Sequence, residues 1–426
     1  MLATPELIRE AAQAAQLEAH IPRWRKVPLY RERLMSANNY ARVNSPRNRF
    51  QQLPFTSKRE MRAGFPESFL KPGRRLETLL AQKLVELEHT SGTSEDRLPV
   101  MFGRGWWNEQ EERALRLNKF VAQVLEAHPN ARRATITSPA CKGLTFPTAS
   151  MSQAQRTISN SLFVNLARIP FLLSDVELAR MAAEIAEWSP QFLDVDPVHG
   201  ARLALYCEQH GIRFPSLRFV LCSYEFVSGV HRRILARAFG VPVFNLYGST
   251  ETGHLLMENE RGEMKPSYDT AYLEVVDADA NGIGNLIVTT LSNDYMPLLR
   301  YGIGDLVERN ERSYGTDYVV HGRARDALLA GNGRRVMTWQ VDQCFAGVDG
   351  IAHYQLRQSP GGECRLRYVP ESGGLDADSL QTVTARLESL LVSSVTTEPV
   401  STLLPEASGK FRLTSRTLDS VSSGKR

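Results

Sequence analysis

Apolar residues recur along the chain with helical spacing in some segments and with strand spacing in others. Between residues 106 and 127, one helical face carries Leu117, Phe120, Val121, Val124 and Leu125, which predicts an amphipathic helix. Similar patterns predict helices over residues 152–167, 175–188, 201–210 and 230–239. Short apolar runs predict buried strands over residues 135–137, 218–222 and 243–245.

The order of these elements predicts an α/β fold. The strand at 218–222, the helix at 230–239 and the strand at 243–245 form a βαβ unit of a parallel sheet. After residue 265, short strands separated by Gly, Asn and Asp turns predict an antiparallel or mixed β segment. We therefore expect a large amino-terminal domain, residues 1–322, with mixed and parallel sheets flanked by helices, and a small mobile carboxy-terminal α+β domain, residues 323–426.

The composition is that of an ordinary globular protein. The 426 residues are 42% hydrophobic and 23% charged, with a formal net charge of +4, which excludes intrinsic disorder as the dominant state. Residues 1–75 hold 15 basic and 6 acidic side chains. No basic block or nucleic-acid motif accompanies this excess, so a solvated, ion-paired face is favoured and no nucleic-acid partner is expected.

The cysteines and the apolar stretches indicate the compartment. The five cysteines are widely spaced and lack a C-x-x-C pair: Cys141, Cys207, Cys222, Cys344 and Cys364. This spacing predicts buried thiols in a reducing compartment. The most apolar stretch, residues 161–173, is interrupted by Asn165, Arg168 and Pro170 and is too short to span a bilayer. With no signal-peptide pattern at the start, we expect a cytoplasmic protein with no membrane partner; a homodimer stays open.

Several motifs of common enzyme classes are absent from the sequence. It contains no G-x-x-x-x-G-K-[ST], no G-x-G-x-x-G after a strand, no H-E-x-x-H and no G-x-S-x-G. These absences disfavour P-loop NTPases, nicotinamide enzymes, zincins and standard hydrolases.

A hydroxyl-rich run follows the apolar segment 84–87. It reads Thr90, Ser91, Gly92, Thr93, Ser94, Glu95, Asp96 and Arg97. Hydroxyls and backbone N–H groups in such a turn can surround phosphate oxygens, and glycine permits close approach of the backbone. A polar surface turn explains the run equally well when it is considered alone.

Two further clusters place carboxylates where ligands bind in α/β folds. The strand at 243–245 leads into Tyr247, Gly248, Ser249, Thr250 and Glu251, where Glu251 could hold a magnesium ion shared with phosphate. The alternative is a helix that begins at this point, with Ser249 or Thr250 as its cap. Asp305 follows a glycine-rich turn and could accept two ribose hydroxyls, or could be a simple turn residue.

A fourth cluster, Ser408-Gly409-Lys410-Phe411-Arg412, contains one of the few lysines. The chain has 42 Arg and only 9 Lys. A lysine in this turn is therefore not ordinary filler for the composition, although alone it would be an exposed turn residue.

Taken together and in this order, the clusters resemble the adenylate-forming enzymes, specifically the phenylacetate–CoA ligase branch. Residues 27–30 (VPLY) and 53–58 (LPFTSK) resemble the "VPFY" and "LPFTTK" signatures, and residues 91–94 resemble the phosphate-binding "SGTTG". Further along, Ser223-Tyr224-Glu225 corresponds to "GAE", residues 247–251 to "YGxSE", 296–305 to "MPLIRYRTxD", 322–326 to "GRxDD", and Lys410 to the adenylating lysine.

The resemblance implies a two-step reaction and a role for each matching residue. A carboxylic acid attacks ATP to give an acyl-adenylate, and coenzyme A then displaces AMP. Lys410 and Glu251 would be catalytic, with Glu251 as the Mg²⁺ ligand. Nucleotide binding is assigned to Thr90, Ser91, Gly92, Thr93, Ser94, Ser223, Tyr224, Glu225, Tyr247, Gly248, Ser249, Thr250, Asp305 and Arg323. The acid pocket is assigned to Phe146, Tyr247, Gly248 and His254.

The sequence departs from the family pattern at several points. Glu95-Asp96 replaces Gly-Lys in the phosphate loop, Tyr224 replaces a small residue, and Arg325 replaces an acidic one. The cysteine clusters that suggest structural zinc in some relatives are absent, so we expect no zinc. The substrate is expected to be a small, aromatic carboxylic acid. The acceptor stays open between coenzyme A, a carrier-protein thiol and an amine, and a catalytically inactive nucleotide-binding homologue is the remaining alternative.

Overall fold

The computed structural model of the chain describes residues 5–35, 50–90, 97–138 and 151–417, without the side chains of residues 5–11. Contacts divide the chain into two compact units. The first unit comprises residues 1–123 and 246–319, and the second comprises residues 124–245 and 320–426.

The bounds of the elements follow in chain order. The helices are α1 (Pro5–Trp24), α2 (Pro28–Met35), α3 (Lys58–Gly64), α4 (Leu76–Ala81), α5 (Trp106–Leu115), α6 (Lys119–Ala127), α7 (Asp175–Trp188), α8 (Pro197–Gln209), α9 (Gly229–Phe239), α10 (Thr338–Gln343) and α11 (Ala377–Leu391). The strands are β1 (Val85–His89), β2 (Pro99–Gly103), β3 (Arg133–Ile136), β4 (Thr157–Ile158), β5 (Ser161–Phe163), β6 (Phe192–Val195), β7 (Phe219–Cys222), β8 (Val243–Ser249), β9 (Gly253–Glu258), β10 (Met264–Pro266), β11 (Ala271–Val276), β12 (Ile283–Thr290), β13 (Tyr301–Arg312), β14 (Gly315–Arg323), β15 (Leu328–Leu329), β16 (Arg335–Val336), β17 (Ile351–Gln358), β18 (Cys364–Pro370), β19 (Val395–Pro399) and β20 (Thr414–Arg416).

The first unit is built mainly from antiparallel strands. Residues 246–249 of β8 pair with β9, and the sheet continues through β10, β14, β13 and β12 to β11. A separate hairpin is formed by β1 and β2, with Val85 opposite Gly103 and His89 opposite Pro99. This architecture agrees with the β segment that the short strands after residue 265 predict.

The second unit contains a parallel sheet and a smaller mixed sheet. Residues 243–245 of β8 pair with β7 in parallel, and the order continues through β6, β3 and β5. The smaller sheet has the order β19-β18-β17-β20. Helices α8 and α9 both contact β17. The mixed α/β architecture predicted from the sequence is confirmed.

A large apolar cluster fills the interior of the second unit. It includes Ile136 on β3, Leu193 on β6 and Leu235 on α9, together with Phe345 and Leu356 from the carboxy-terminal residues. Each of these five side chains is fully buried. Residues 320–417 therefore share a hydrophobic core with residues 124–245 in this structure, and the domain boundary at 322/323 stays a prediction.

Asp342, near the end of α10, accepts hydrogen bonds from three donors of the second unit. Its carboxylate accepts from the Ser228 hydroxyl at 2.6 Å, the Gly229 N–H at 2.8 Å and the Tyr354 hydroxyl at 2.8 Å. Ser228 is the N-cap of α9, and its own hydroxyl accepts from the N–H of Val230. Burial raises the pKa of Asp342. The carboxylate thereby joins the start of α9 to the carboxy-terminal residues.

Two helix predictions need correction. Residues 152–167 are not a helix: a short 3-10 turn at Ala154–Arg156 leads into β4 and β5, and β5 pairs with β3. Strand pairing satisfies this backbone, and the buried Arg156 forms an ion pair with Glu184 at 2.6 Å. The predicted helix over 106–127 is divided into α5 and α6, because Asn118 accepts from the Val121 N–H at 2.9 Å and starts a new helix.

Asp342→Ala should lower the free energy of unfolding by about 3 kcal/mol, because it leaves three buried donors without their acceptor. Asp349→Ala is the matched control, since that side chain is 75% exposed and pairs with Arg233 only at 3.5 Å. The control should change stability by less than about 1 kcal/mol. Urea unfolding followed by circular dichroism measures both, and equal effects would contradict the role given to Asp342.

Candidate active site

In the first unit, two of the residues predicted from the sequence form a hydrogen bond with each other. The Tyr247 hydroxyl on β8 donates to Oδ2 of Asp305 at 2.6 Å. Asp305 lies within β13 and is 5% exposed, so it is a strand residue and not a turn residue. A carboxylate oxygen accepts hydroxyl donors well, so this residue type suits hydroxyl ligands such as ribose.

Glu251 lies in the turn between β8 and β9. The alternative of a helix beginning here is wrong, because Ser249 ends a strand and Gly253 begins the next one. The backbones are so close that a Cβ atom on Gly248 would lie 2.2 Å from the carbonyl oxygen of Gly253. Only glycine fits at this position without a shift of the hairpin.

Lys58 faces the carboxylate of Glu251. Its Nζ lies 3.8 Å from Glu251 Oε1 and donates to the Thr90 hydroxyl at 3.3 Å. The same Oε1 accepts from the Tyr301 hydroxyl at 3.2 Å. The Thr90 hydroxyl also accepts from the Leu98 N–H at 2.9 Å. An ammonium, a carboxylate and a hydroxyl are thus assembled at the start of the predicted phosphate loop.

The two amino-terminal signatures explain how Lys58 is held. The Tyr30 hydroxyl donates to the Pro297 carbonyl at 3.0 Å, and the Thr56 hydroxyl donates to the Leu299 carbonyl at 2.6 Å. Ser57 then caps α3 in a capping box with Glu60, which places Lys58 at the first helical position. Burial raises the pKa of Tyr30 well above its ordinary value. These bonds join α2 and the start of α3 to the segment that leads into β13.

The donor set at Glu251 is compatible with a nucleotide-bound magnesium ion. Mg²⁺ commonly takes one or two protein carboxylates and completes its shell with water and substrate phosphates. Glu251 is 7% exposed and supplies one carboxylate. Among the described residues, no group of three or more His, Cys, Asp or Glu side chains has the arrangement of a metal site.

The predicted acid-pocket residue His254 is enclosed by α5. Its backbone N–H donates to Gln110 Oε1 at 2.5 Å. Its ring packs edge to face on the Trp107 ring, with 5.2 Å between the centroids. Its Nε2 lies 3.8 Å from Glu111 Oε1. The aromatic and amide groups around His254 were not indicated by any motif, although the helical pattern of residues 106–115 places them on one element.

In the second unit, the predicted lysine and the predicted 223–225 segment are in contact. Lys410 Nζ donates to the backbone carbonyl of Tyr224 at 2.7 Å. The next residue, Phe411, donates its N–H to Glu225 Oε1 at 2.9 Å. Two consecutive residues near the carboxyl end thus bind two consecutive residues 186 positions earlier.

Asp194, on β6, accepts two hydrogen bonds from the segment at residues 223–225. Its Oδ1 accepts from the Ser223 hydroxyl at 2.7 Å, and its Oδ2 accepts from the Tyr224 hydroxyl at 2.6 Å. Tyr224 has a φ of +76°, which is uncommon for a residue with a side chain. The bonds to Asp194 offset the strain of this conformation.

Asp196 follows Asp194 on the same face of the chain and controls the charge of Glu225. Asp196 caps α8 by accepting from the Val198 and His199 N–H groups, and its Oδ1 lies 3.2 Å from His199 Nδ1. Burial and the neighbouring Asp196 carboxylate raise the pKa of Glu225 well above its usual value, although Lys410 and the Phe411 N–H oppose the shift. Burial and the Asp196 carboxylate therefore favour the protonated form of Glu225.

The segment at residues 322–326, which resembles "GRxDD", contacts the lysine loop, residues 406–412, through an ion pair. Arg323 is the last residue of β14, and Asp326 follows shortly afterwards in a 3-10 turn. Asp326 Oδ1 lies 2.5 Å from Arg412 Nη2, and Arg412 also pairs with Glu406 at 3.1 Å. The backbone of Glu406 binds that of Lys410 at 2.8 Å. Arg325, the departure from the family pattern, points toward Glu406 at 3.6 Å.

Several predicted residues lie outside the described part of the chain. They are Ser91, Gly92, Thr93, Ser94, Glu95, Asp96 and Phe146. Ser249 is described and binds the Thr252 hydroxyl at 3.0 Å, and Thr250 lies in the same turn. The residues that sequence reasoning missed are Lys58, Asp194, Asp196 and His199. Asp194-Val-Asp196 at the end of a strand was a readable signal, since ligand sites lie at the carboxyl ends of parallel strands.

Comparison with known proteins finds curated relatives that match parts of the chain. No protein-family model matches the chain. It is 31% identical over 126 residues to Protein CapK of Staphylococcus aureus, a match that covers 29% of this chain and 28% of that protein. It is 27% identical over 196 residues to phenylacetate-coenzyme A ligase of Thermus thermophilus, with 42% and 44% covered. Both matches span less than half the length of these curated relatives.

Among solved structures, 2-hydroxyisobutyryl-CoA ligase in the postadenylation state, in complex with 2-HIB-AMP, is similar to the whole chain. The TM-score is 0.70 at 16% identity, covering 98% of this chain and 90% of that one. The chain therefore has the fold of that ligase. Part of its sequence is similar to a phenylacetate-coenzyme A ligase, which confirms the resemblance drawn from the motifs.

The described residues also bear on membranes and on thiols. No described helix combines the length and the apolar character needed to cross a bilayer. Cys207, Cys222, Cys344 and Cys364 are buried, and Cys141 lies outside the described residues. Burial raises the pKa of the Cys207 thiol to about 12 and that of Cys344 to about 11. The thiols of Cys207 and Cys344 are therefore poor nucleophiles at neutral pH.

Glu225→Gln should remove a pH dependence of stability. Because the folded-state pKa of Glu225 is raised, the folded protein holds a proton that the unfolded chain releases above about pH 4.5, so wild-type stability falls as pH rises above that value. Glutamine is neutral at every pH and still accepts the Phe411 N–H. The variant should be at least as stable as wild type at pH 8 and should lose less stability between pH 5 and pH 8.

The measurement is urea unfolding at several pH values. Glu187→Gln is the matched control, since this glutamate is exposed on α7. A pH profile of Glu225→Gln that follows both wild type and control would show that Glu225 is ionised in the folded protein.

Proposed function

We propose that this protein activates a small carboxylic acid with ATP and passes the acyl group to coenzyme A. A carboxylate oxygen of the acid bonds to the α-phosphorus of ATP, the bond to the bridging oxygen breaks, and pyrophosphate leaves. The sulfur of coenzyme A then bonds to the acyl carbon, the thiol proton is released, and AMP leaves. An aromatic acid is the favoured substrate class, since one relative is a phenylacetate-coenzyme A ligase.

The contact of Lys410 with Tyr224 is the observation that carries this proposal. The first step concentrates negative charge between the α-phosphate and the leaving pyrophosphate, and catalysis of such a step rests on positioning and on fixed positive charge. Lys410 supplies such a charge in the second unit, beside the segment that resembles the family's adenine-binding "GAE". Its acceptor there is a neutral carbonyl at 2.7 Å, so its charge is available to an anion.

The first unit supplies the groups that we assign to ribose, phosphates and magnesium. We assign Asp305, with its Tyr247 partner, to the ribose hydroxyls, and Arg323 of the second unit to a nucleotide edge. Glu251 would hold Mg²⁺, which would neutralise phosphate charge when bound. We assign Lys58 and Thr90 to the phosphates as well. Lys58 thereby supplies a cation for the phosphates in a chain where Asp96 replaces the loop lysine of the family.

The finer points of the function are proposals of the same kind. Coenzyme A is the proposed acceptor, and a carrier-protein thiol or an amine is the outcome to be distinguished from it. ATP and coenzyme A are compatible with the cytoplasmic location that the sequence predicts. The absence of zinc also stays a prediction. A homodimer stays open.

Lys410→Ala should abolish ATP–pyrophosphate exchange while leaving ATP binding within about threefold of wild type. The assay uses a panel of aryl and short aliphatic acids. Lys71→Ala, a substitution of the same type at an exposed lysine of the first unit, should leave exchange unchanged. Wild-type protein that binds ATP but shows no exchange with any acid would favour the inactive homologue.

The acceptor is read from the same assay. AMP release that coenzyme A accelerates supports the ligase proposed here. Acceleration by hydroxylamine but not by coenzyme A would assign the second step to another acceptor.

Lys58→Ala should raise the KM for ATP about tenfold in the exchange assay, because it removes a cation that we assign to phosphate. The kcat should fall less than it does in Lys410→Ala. Lys58→Arg should recover part of the loss, since it keeps the charge, and Lys71→Ala again serves as the control. An unchanged KM for ATP in Lys58→Ala would exclude a phosphate contact.

A further inference from the structure

The anchor of Lys410 is itself built by a residue that departs from the family pattern. Tyr224 stands where the resembling motif has a small residue. Its carbonyl accepts from Lys410 Nζ, and its hydroxyl donates to Asp194 Oδ2 at 2.6 Å. An alanine at this position could form the first bond but not the second. The side chain of Tyr224 therefore connects the lysine anchor to the buried carboxylate on β6.

The bond to Asp194 fixes an unusual backbone conformation. With φ at +76°, Tyr224 lies in the left-handed region, where residues with side chains are uncommon. The direction of its carbonyl depends on that conformation. Asp194 is 3% exposed and also binds the Ser223 hydroxyl, so both residues before Glu225 are fixed to one rigid strand.

The acceptor of the Lys410 ammonium is a neutral group, the carbonyl of Tyr224. Glu225 binds the N–H of Phe411, directly after Lys410, and burial and the Asp196 carboxylate raise its pKa, which favours its uncharged form. A neutral acceptor fixes the position of the ammonium without cancelling its charge, which is what an electrostatic catalyst requires.

The Phe411 side chain secures the other side of the loop. It is 8% exposed, and its ring lies edge to face on His353 at 4.9 Å and near His199 at 6.3 Å between centroids. Phe171 stacks on the same His353 at 5.8 Å. The loop is therefore fixed by apolar packing at Phe411, whereas the ammonium of Lys410 donates a hydrogen bond to the Tyr224 carbonyl.

We infer that Asp194 and Tyr224 are positioning residues for Lys410: Asp194 holds the Tyr224 hydroxyl, and Tyr224 presents its carbonyl as a neutral anchor for the ammonium. The inference rests on the proposed function for its catalytic consequence. Its structural content can be tested without any turnover.

The first test measures the chemical reactivity of Lys410. Wild type and Tyr224→Phe are labelled briefly with acetic anhydride, and the Lys410 peptide is quantified by mass spectrometry against Lys71, which is exposed. Tyr224→Phe keeps the ring and removes only the bond to Asp194. Labelling of Lys410 should rise about fivefold, the factor that corresponds to one lost hydrogen bond.

A matched control is available in the same unit. Tyr354 donates to Asp342 at 2.8 Å in another buried tyrosine–aspartate bond. Tyr354→Phe should leave Lys410 labelling at the wild-type level. An equal rise in the control, or no rise in Tyr224→Phe, overturns the inference.

A double-mutant cycle tests whether Tyr224 acts through Asp194. Asp194→Asn retains one acceptor oxygen and the size of the side chain, so it serves as the second variant if Tyr224→Phe folds poorly. The double variant should label no faster than the more reactive single variant. Multiplied effects would show independent roles and would overturn the connection through Asp194.

The kinetic test separates positioning from general damage. Tyr224→Phe should lower the kcat of ATP–pyrophosphate exchange about tenfold with little change in the KM for ATP, while thioester formation from supplied acyl-adenylate stays at the wild-type rate. Equal losses in both half-reactions would indicate a structural role and overturn the inference.

The two proposals fail in distinguishable ways. A labelling shift in a wild-type protein that exchanges no acid would keep the positioning and reject the proposed function. Normal exchange without a labelling shift would keep the proposed function and reject the positioning.

Discussion

Two buried carboxylates at the end of β6 constrain the second unit. A buried carboxylate needs donors, and the structure provides them from one loop and one helix start: Ser223 and Tyr224 for Asp194, and the first N–H groups of α8 for Asp196. Asp194 lies on β6, and Asp196 follows the strand as the N-cap of α8. The loop at 223–225 is therefore fixed between them, and the lysine loop binds to this fixed segment.

Asp196 also affects the electrostatics of Glu225, the residue next to the anchor of Lys410. A charged Glu225 would attract Lys410 and cancel its charge. Burial and the Asp196 carboxylate raise the pKa of Glu225, which accepts from the Phe411 N–H. This shift favours the uncharged form of Glu225 and thereby leaves the charge of Lys410 available to a ligand. Removing Asp196 would disturb the lysine even though the two residues share no hydrogen bond among those described.

Sequence patterns predicted elements well where the signal was local, and failed where tertiary pairing decided. Residues 175–188 form the predicted helix residue for residue, because a serine cap and a continuous apolar face specify it. Residues 152–167 also have apolar residues that suggested a helix but form short strands, because β3 supplies a pairing partner that no local pattern reveals. The motifs likewise indicated Lys410, Tyr224, Tyr247 and Asp305. The bond between Lys410 and Tyr224 and the role of Asp194 depend on contacts between distant segments of the second unit, which no motif reveals.

The lysines show how much chemistry a composition can contain once its contacts are known. In a chain of 42 Arg and 9 Lys, Lys58 and Lys410 both occupy positions with specific acceptors. Lys58 faces the Glu251 carboxylate at 3.8 Å, so part of its charge is compensated before any ligand arrives. Lys410 faces a carbonyl and keeps its full charge. Arginine could not replace either lysine simply, because its planar fork needs several acceptors, whereas a compact ammonium fits one carbonyl. The difference between the two acceptors therefore suits Lys58 to stable binding of phosphate and Lys410 to charge that develops only during the reaction.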